Sequence, residues 1–455
     1  MSLKNEIQEV ISGIRCSFHM PGHKYKGVLN YQISETDTTE LPGTDNLHAA
    51  FSCIKNAEDY ISGLYGSKRS RIMVSGSSMG LIAAIYALSE RGDRVLIGRD
   101  SHKSIFHACR IAGLRYACAM PRLSGCALPL DYENLHETLM RHPEIRLAVL
   151  TSPTYYGHLR DLSRVARELG KRGGYLIVDE AHGAHLAFTP LARHSALAQG
   201  AHIVVQSAHK SLPAMTMAAM LHYGREIDEA AIARVDEALR MFQSSSPSYP
   251  IMISVEEACR YMDANRETVS ARYSQFKDFE ASSPFLEPAP CDVPKDPFKL
   301  FLNSAKIGYT GFEVAELLRS RGIYPEFAQY SGVLLYLSAL NTPEELSELA
   351  ELVGTLQARP PFAFSAPVFP ALSAFSNSAG NWQANCEIID VKESLGRVMA
   401  EDIIPYPPGI PLALKGEKIE EELFQALMEA TKLPALMIEG REEGLRSLKV
   451  EVREV

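Results

Sequence analysis

The sequence lacks the features that mark secreted, membrane and zinc-cluster proteins. Its eight cysteines stand at 16, 53, 109, 118, 126, 259, 291 and 386, and none of them forms a CxxC pair. This spacing indicates neither a disulfide framework nor a zinc site, and it is typical of a reduced, cytoplasmic protein. No apolar run is long enough to span a membrane, and the first residues have no signal-peptide core.

Long basic runs are absent as well. The net charge is -9, which argues against nucleic acid as a partner. The apolar fraction of 46% and the charged fraction of 22% are those of an ordinary globular protein. A chain of 455 residues has enough material for two or three domains, and we find no internal repeat.

Five short apolar segments in the first half of the chain end in polar residues. They are RIMVSGSS (71–78), RVLIGRDSHKS (94–104), LAVLTSPTYYG (147–157), YLIVDEAHGAH (175–185) and HIVVQSAHK (202–210). Helical patterns such as RDLSRVARELGKRG, at 160–173, lie between them. This alternation predicts an α/β fold with a mostly parallel sheet and helices on both faces. Ligands bind at the carboxyl ends of the strands in that architecture, where all the polar residues fall.

The turn after the first of these segments has the character of an anion site. Gly76, Ser77 and Ser78 combine small residues and hydroxyls with the start of an apolar helix. Free backbone N–H groups at a helix N-terminus bind phosphate. An ordinary serine N-cap at Ser75 is the alternative. No Gly-Lys-Ser/Thr follows, so the turn is not a Walker loop.

Lys210 follows the last of the five segments, between His209 and Pro213. Burial at the end of a strand lowers the pKa of a lysine and makes its amine a nucleophile. Such an amine forms Schiff bases with carbonyl groups, most often with pyridoxal phosphate. A surface lysine in a loop is the alternative when Lys210 is considered alone.

Two further strand ends carry groups that suit the same cofactor. Asp179 is placed to pair with the ring nitrogen, and the His102 imidazole is placed to stack on the ring. With Lys210 and the anion turn, they make pyridoxal phosphate the predicted cofactor. A loop role for His102 and a metal site of Asp179, Glu180, His182 and His185 are alternatives. A DEAH helicase is excluded because no Walker loop accompanies the motif.

The second half of the chain predicts smaller units. FKLFLNSA (298–305) and VLLYLSAL (333–340) read as strands around a helix, and Thr342 begins another helix with a capping box. The segment 358–373 is rich in proline, and GEKIEEELFQALMEA predicts a helix in a C-terminal module. We therefore divide the chain into an N-terminal arm with active-site loops, a large cofactor domain, a small α/β domain, and a linker with the C-terminal module, at 1–65, 66–245, 246–358 and 359–455.

Several motifs together resemble the Orn/Lys/Arg decarboxylase family, in the short Gram-positive branch that lacks an N-terminal wing domain. The resemblance runs in order through FHMPGHKYKG, LPGTDNLH, GSSMG, RDSHKS, TSPTYYG, VDEAHGAHLAF, QSAHKSLPAMTMAAMLH, SPSYP, GIYPEF and PYPPGIPLALKGE. It implies the pyridoxal-phosphate-dependent transferase fold, fold type I, and decarboxylation of arginine, lysine or ornithine. It also implies a homodimer or larger oligomer with active sites at the interface.

The resemblance implies a role for each matching residue. Lys210 carries the cofactor, Asp179 pairs with the ring nitrogen, and His102 and Ala181 cover the two ring faces. Ser77, Ser78, Ser207 and His209 hold the phosphate beside Gly76. Candidate contacts to the substrate are Glu326, His23 and Asp45, and Glu326 is the candidate for the distal cationic group. His182 stands where long forms often carry an aromatic residue, so we expect it to line the cofactor site and to shape substrate choice. No metal is expected.

Two other functions stay open at this point. The DEAH and HK motifs also resemble those of acyl-CoA condensing synthases, and an aminotransferase uses the same scaffold. PGHK, GTDNLH and PYPPGIP favour the decarboxylase family over both. A regulatory protein that binds the cofactor without catalysis is the second alternative, and the complete set of Lys210, Asp179 and His102 argues against it.

Overall fold

A computed structural model describes residues 3–27, 33–41, 43–124, 128–133, 135–288, 290, 292–361, 376–377, 385–406, 409–432, 437–441 and 444–452. The α-helices are α1 (Leu3–Ser12), α2 (Ile33–Thr36), α3 (Cys53–Tyr65), α4 (Gly76–Ala87), α5 (Lys103–Ala112), α6 (Leu135–Arg141), α7 (Ser163–Lys171), α8 (Ala208–Ser211), α9 (Glu229–Phe242), α10 (Tyr249–Ala264), α11 (Arg266–Ser282), α12 (Gly311–Ser320), α13 (Pro343–Gly354) and α14 (Glu421–Thr431). The β-strands are β1 (Cys16–Phe18), β2 (Arg69–Met73), β3 (Arg94–Gly98), β4 (Arg115–Leu123), β5 (Pro129–Glu133), β6 (Leu147–Thr151), β7 (Tyr175–Asp179), β8 (Ile203–Ser207), β9 (Ala219–Tyr223), β10 (Lys299–Leu302), β11 (Ile323–Pro325), β12 (Phe327–Gln329), β13 (Gly332–Tyr336), β14 (Ser376–Asn377), β15 (Cys386–Asp390) and β16 (Ser447–Glu451).

The central sheet has the strand order β14-β4-β3-β6-β7-β8-β9-β2, and β5 pairs with β4. Strands β4, β3, β6, β7 and β8 are parallel to their neighbours in that run. Strand β9 is antiparallel to both β8 and β2, so β2 runs in the same direction as β8. The predicted mostly parallel sheet is confirmed, and the carboxyl ends of β2, β3, β6, β7 and β8 share one edge. The sequence analysis predicted β2, β3, β6, β7 and β8 of this sheet, and it did not predict β4, β5, β9 or β14.

Helices cover both faces of this sheet, and its strands alternate between two cores. In β7, Ile177 packs with α4, α5 and α9 on one face. Its neighbours Leu176 and Val178 pack with α6 and α7 on the other face. Because successive side chains of a strand point to opposite faces, a strand that is apolar throughout must be buried on both sides. This burial fixes the strand ends rigidly, which is the condition for a precise site.

The N-terminal arm and the smaller sheet are joined. Strand β1 pairs in parallel with β11, and β10, β13 and β12 form an antiparallel sheet. The predicted capping box at the start of α13 is confirmed. The Thr342 side chain accepts from the Glu345 N–H, and the Glu345 side chain accepts from the Thr342 N–H. The proline-rich segment predicted at 358–373 lies outside the described residues from 362 onward.

The C-terminal module has its own apolar core between α14 and the β15-β16 pair. The helix predicted within 416–430 is observed as α14. Buried Arg99 of the large domain donates to Pro411 O and Leu412 O, which attaches the module beside the sheet. None of the helices in the described residues is long and apolar enough to cross a membrane. The predicted domain boundaries stay predictions.

Candidate active site

A cavity of about 320 Å³ lies at the carboxyl edge of the central sheet. Its wall is built where strands β2, β3, β6, β7 and β8 end, as expected for a parallel sheet. The wall includes Gly76, Ser77, Ser78, His102, Thr151, Tyr155, Asp179, Ala181, His182, Ser207, His209 and Lys210. The structure therefore brings together every residue that the sequence analysis assigned to the cofactor.

Lys210 reaches this cavity from the short helix α8, directly after β8. Its Nζ lies 3.1 Å from Nε2 of His182. Burial lowers the pKa of Lys210 below its ordinary value, while Asp179 and Glu326 oppose this shift and Lys299 adds to it. A larger fraction of neutral amine makes Lys210 a better nucleophile than an exposed lysine.

Asp179 ends strand β7 and is only 4% exposed. Its Oδ1 accepts a hydrogen bond from the Ala181 N–H at 3.1 Å. Burial raises the pKa of Asp179, and the nearby Lys210 lowers it. A carboxylate held on the cavity wall in this way can accept a hydrogen bond from a protonated ring nitrogen of a ligand.

The start of α4 forms a cradle of small residues and hydroxyls. Gly76 has a φ of +76°, and its N–H donates to Met217 O at 3.0 Å. The Ser207 hydroxyl donates to Ser77 Oγ at 2.7 Å, and Ser78 lies on the same wall. The side chain of Ser75 makes no capping hydrogen bond. The arrangement suits a phosphate because the N-terminus of a 12-residue helix carries partial positive charge.

Two histidines of the wall are uncharged near neutral pH. Burial lowers the pKa of His102 to about 3, and Lys210 contributes in the same direction. Burial likewise lowers the pKa of His209 to about 4. His102 caps α5, and its Nδ1 lies 2.9 Å from Ser104 Oγ. A neutral, fixed imidazole of this kind can stack on a flat aromatic ligand.

Glu326 lies beside the cavity rather than on its wall. Its Oε1 accepts a hydrogen bond of 2.5 Å from the hydroxyl of Tyr155, which does lie on the wall. Its Oε2 accepts from the Met20 N–H at 2.9 Å. The negative charge of Glu326 raises the pKa of Lys210, against the larger effect of burial.

The two other candidate substrate contacts, His23 and Asp45, are not among the residues that line the cavity. Nδ1 of His23 accepts from the Tyr25 N–H, and His23 is not on the cavity wall. Asp45 is 5% exposed, and its carboxylate holds the loop before α3. It accepts hydrogen bonds from the backbone N–H groups of Asn46, Phe51, Ser52 and Ile54. Because each of its two oxygens accepts two of these bonds, the carboxylate of Asp45 anchors this loop.

The acidic and histidine residues of the DEAH segment do not form a metal cage. Glu180 accepts hydrogen bonds from a backbone N–H and from a glutamine amide. His185 lies 3.0 Å from the buried carboxylate of Asp296, while His182 turns toward Lys210. Among the residues that the structure describes, no three His, Cys, Asp or Glu side chains converge as metal ligands.

Several residues of the site escaped the sequence analysis. Tyr336 bonds Nδ1 of His182 at 3.0 Å, and the buried Lys299 donates to His182 O at 2.9 Å. Tyr155 lies in the TSPTYYG motif, to which no individual role was given. Tyr336 was treated only as part of a strand. A polar side chain in an apolar strand is the signal that would have singled out Tyr336 and Lys299.

Comparisons with known proteins agree with this geometry. The profile of the family "Orn/Lys/Arg decarboxylase, major domain" matches residues 11–274, and that of the C-terminal domain matches residues 362–435. The uncharacterized protein YaaO of Bacillus subtilis is 35% identical, over 90% of each chain. An arginine decarboxylase of Halalkalibacterium halodurans is 26% identical, over 95% of this chain and 94% of that protein. The solved lysine decarboxylase LdcF of Francisella novicida superposes with a TM-score of 0.78 at 20% identity, covering 98% of this chain and 80% of that chain.

The fold and the site define a pyridoxal-phosphate-dependent protein of fold type I, as predicted. Within that class the chain belongs to the Orn/Lys/Arg decarboxylase family. The residues present fit the cofactor: the Lys210 amine, the Asp179 carboxylate and the α4 cradle face one cavity. Thr151 adds a buried hydroxyl without a hydrogen-bond partner in the described part of the chain, on the same wall.

Proposed function

We propose that the protein decarboxylates a basic L-amino acid, arginine, lysine or ornithine, to the corresponding amine and CO₂. The observation that carries the proposal is the convergence of Lys210, Asp179 and His102 on one cavity, with the carboxylate of Glu326 beside it. The family membership supports a decarboxylase over other reactions on this scaffold. The product would be a precursor for polyamine biosynthesis.

Each cofactor residue has a defined task in this proposal. Lys210 would hold the cofactor aldehyde through Nζ. Asp179 would keep a ring nitrogen protonated, and His102 and Ala181 would pack against the ring. The cradle of Ser77, Ser78, Ser207 and His209 beside Gly76 would bind the phosphate. The bound cofactor supplies an electron sink for the carbanion left at the α-carbon when CO₂ departs.

The substrate's distal cation is assigned to Glu326. Its carboxylate accepts one hydrogen bond at each oxygen, from the Tyr155 hydroxyl and the Met20 N–H, so each oxygen keeps a lone pair for a cationic donor. Lys210 Nζ and His182 Nε2 are the pair placed to hold the proton that returns to the α-carbon. The roles of His23 and Asp45 as substrate contacts are not part of the proposal.

The proposal includes a homodimer or larger oligomer in the cytoplasm. Phe51 is 80% exposed and Met217, on the cavity wall, is 48% exposed. Burial of these two side chains against a second copy would remove apolar surface from water, which supports the assembly that the family resemblance implies. Cys16 and Cys259 are buried thiols rather than disulfides, as is usual in a reducing compartment. Light scattering of the purified protein measures the assembly directly.

The test is a product assay. The protein is loaded with pyridoxal phosphate and given L-arginine, L-lysine and L-ornithine separately, and the amine is identified by mass spectrometry. We expect agmatine, cadaverine or putrescine from one of the three. Lys210→Ala serves as the control and should yield no amine from any of them.

Three outcomes would replace the proposal. A keto acid in place of an amine would identify an aminotransferase, and product formed only when an acyl-CoA is added would identify a condensing synthase. Cofactor bound through Lys210 with no product from any substrate would identify a regulatory protein. Release of CO₂ and amine in equal amounts, without added acyl-CoA, distinguishes decarboxylation from all three.

A further inference from the structure

Both ring nitrogens of His182 have partners in the site. Nε2 lies 3.1 Å from Lys210 Nζ, and Nδ1 lies 3.0 Å from the hydroxyl of Tyr336. The ring also makes an edge contact with Tyr155, at 4.7 Å between centroids. His182 is therefore held in one orientation between a residue of the small sheet and the lysine of the large domain.

Tyr336 is itself fixed in place. It ends strand β13 and is fully buried. Its backbone oxygen accepts a 2.7 Å hydrogen bond from Lys24 Nζ, and the Lys299 ammonium lies 4.5 Å from its ring centroid. Lys299 also donates to His182 O, so one cation touches both partners. The hydroxyl of Tyr336 cannot turn away from His182 without moving this packed set.

The protonation states of the pair follow from burial. Burial lowers the pKa of His182 well below its ordinary value, and Lys210 and Lys299 add to the shift. Burial raises the pKa of Tyr336 well above its ordinary value. A neutral imidazole has one N–H group and one lone-pair nitrogen. A phenol that keeps its proton must donate it to an acceptor, because otherwise one hydrogen bond is lost. Within the described residues, the acceptor within reach of the Tyr336 hydroxyl is Nδ1 of His182.

We propose that Tyr336 is a positioning residue: its hydroxyl donates to Nδ1 of His182 and so fixes the imidazole proton on Nε2, facing Lys210. An Nε2–H group donates to the lone pair of a neutral amine and repels an ammonium. The pair therefore favours the nucleophilic form of Lys210. The inference rests on the part of the proposed function in which Lys210 bonds the cofactor.

Other groups around Lys210 affect its charge independently of Tyr336. The carboxylates of Asp179 and Glu326 favour the ammonium, and Lys299 disfavours it. His102 and His209 are neutral near pH 7 because burial lowers the pKa of each, to about 3 and about 4. Around Tyr336 the charged groups are Lys24, Lys299, Asp296 and Glu326. None of these groups can fix the tautomer of His182, because none bonds its ring nitrogens in the described structure.

The first measurement is the tautomer of His182 in the cofactor-free wild-type protein. The histidines are labelled with ¹⁵N, and the resonances of His182 are identified by their loss in His182→Gln. We expect Nδ1 without a proton and Nε2 with one at neutral pH. A proton on Nδ1 in the wild type would overturn the inference without bearing on amine production.

The second measurement is the rate at which the cofactor-free protein takes up pyridoxal phosphate, followed by absorbance against pH. In Tyr336→Phe, His182 can turn its Nε2 lone pair toward an ammonium. We expect uptake in this variant to become fast only at a higher pH than in the wild type. The midpoint of the profile of rate against pH should rise by about one pH unit, the scale of one hydrogen bond. Uptake should return to the wild-type rate at high pH.

The matched control is Tyr223→Phe, which removes an equally buried hydroxyl that bonds Asp236 away from the cavity. We expect its uptake midpoint to stay at the wild-type pH. An unchanged midpoint in Tyr336→Phe, or the same shift in both variants, would refute the positioning role. The proposed function fails separately, through the absence of amine from a wild-type protein that takes up the cofactor.

Discussion

The proposed electron sink depends on the carboxylate of Asp179. It is buried at the end of β7 and keeps one hydrogen bond, from the Ala181 N–H, that holds its direction. An amide in its place preserves shape and hydrogen bonding but cannot balance a protonated ring nitrogen. A substitution at Asp179 therefore tests turnover separately from binding of the cofactor.

We predict that Asp179→Asn still binds the cofactor but loses turnover by about 10²–10³-fold, the usual size of one preorganised electrostatic contact. Absorbance of the bound cofactor and amine release measure the two properties. Asp228→Asn, at the exposed N-cap of α9, is the control and should keep full turnover. Normal turnover in Asp179→Asn would remove Asp179 from this role.

Glu326 is the residue that we expect to set the preference for a basic side chain. Glu326→Gln keeps the size of the side chain and an acceptor for Tyr155, but it removes the charge. A charge-assisted hydrogen bond is worth about 1.5–3 kcal/mol, so we predict a fall in kcat/KM of about 10- to 100-fold for the basic substrate. Equal loss for a neutral amino acid of the same length, such as norleucine, would show that the charge of Glu326 is not what recognises the substrate.

At the scale of elements, Gly409 of the C-terminal module supports the cofactor site. Gly409 has a φ of +82°, and an added Cβ would lie 3.0 Å from the ring of His102. The Lys103 N–H donates to Gly409 O, so Gly409 is bonded to the start of α5 as well. The module thereby fixes the imidazole that we assign to ring stacking.

We predict that Gly409→Ala weakens cofactor binding several-fold, because His102 must shift by a few tenths of an ångström. Gly440→Ala is the matched control, since Gly440 has a φ of +75° with nothing within 4 Å of an added Cβ. Both changes should cost about 1–2 kcal/mol of stability through the left-handed backbone. A titration with cofactor checks the difference, and equal affinities of the two variants would contradict it.

At the scale of the whole molecule, an ion pair joins the C-terminal module to the large domain. Arg110 donates to both carboxylate oxygens of Asp402, at 3.0 and 2.8 Å. Burial alone would raise the pKa of Asp402, but hydrogen bonds from His107, Arg110 and the Lys415 N–H outweigh it and hold that pKa well below its ordinary value. The stabilisation is therefore present above the ordinary pKa of about 3.9 and is lost as the pH falls below it.

We predict that Asp402→Asn lowers the free energy of unfolding at pH 7 by about 1.5–3 kcal/mol, the range for hydrogen bonds to charged groups. The variant should also lose less stability than the wild type between pH 5 and pH 3. Glu439→Gln is the control, because Glu439 is 46% exposed in its pair with Lys103 and should cost no more than about 1 kcal/mol. Thermal unfolding against pH measures both, and identical curves for the two variants would oppose the assigned role of Asp402.

Much of the fold and of the cofactor site was predictable because both depend on local patterns. A continuous apolar strand must be buried on both faces, and parallel strands end at one edge, so Lys210, Asp179 and His102 could be placed together. Strand β9, with the sequence AMLHY, was missed because it contains no β-branched residue and begins with alanine, which is depleted in strands. The capping box at Thr342 was predictable because it involves residues three apart.

The sequence by itself determined the sheet, its polar edge and the cofactor residues that stand at strand ends. Only the tertiary structure decided what those residues bond. His182 and Tyr336 are 154 residues apart, and Tyr155 and Glu326 are 171 apart. No periodicity links positions at such separations, because their contact results from the docking of the small sheet on the large domain. The same docking placed Glu326 against Tyr155 at the cavity, since the packing of whole elements chooses the partners of a polar side chain.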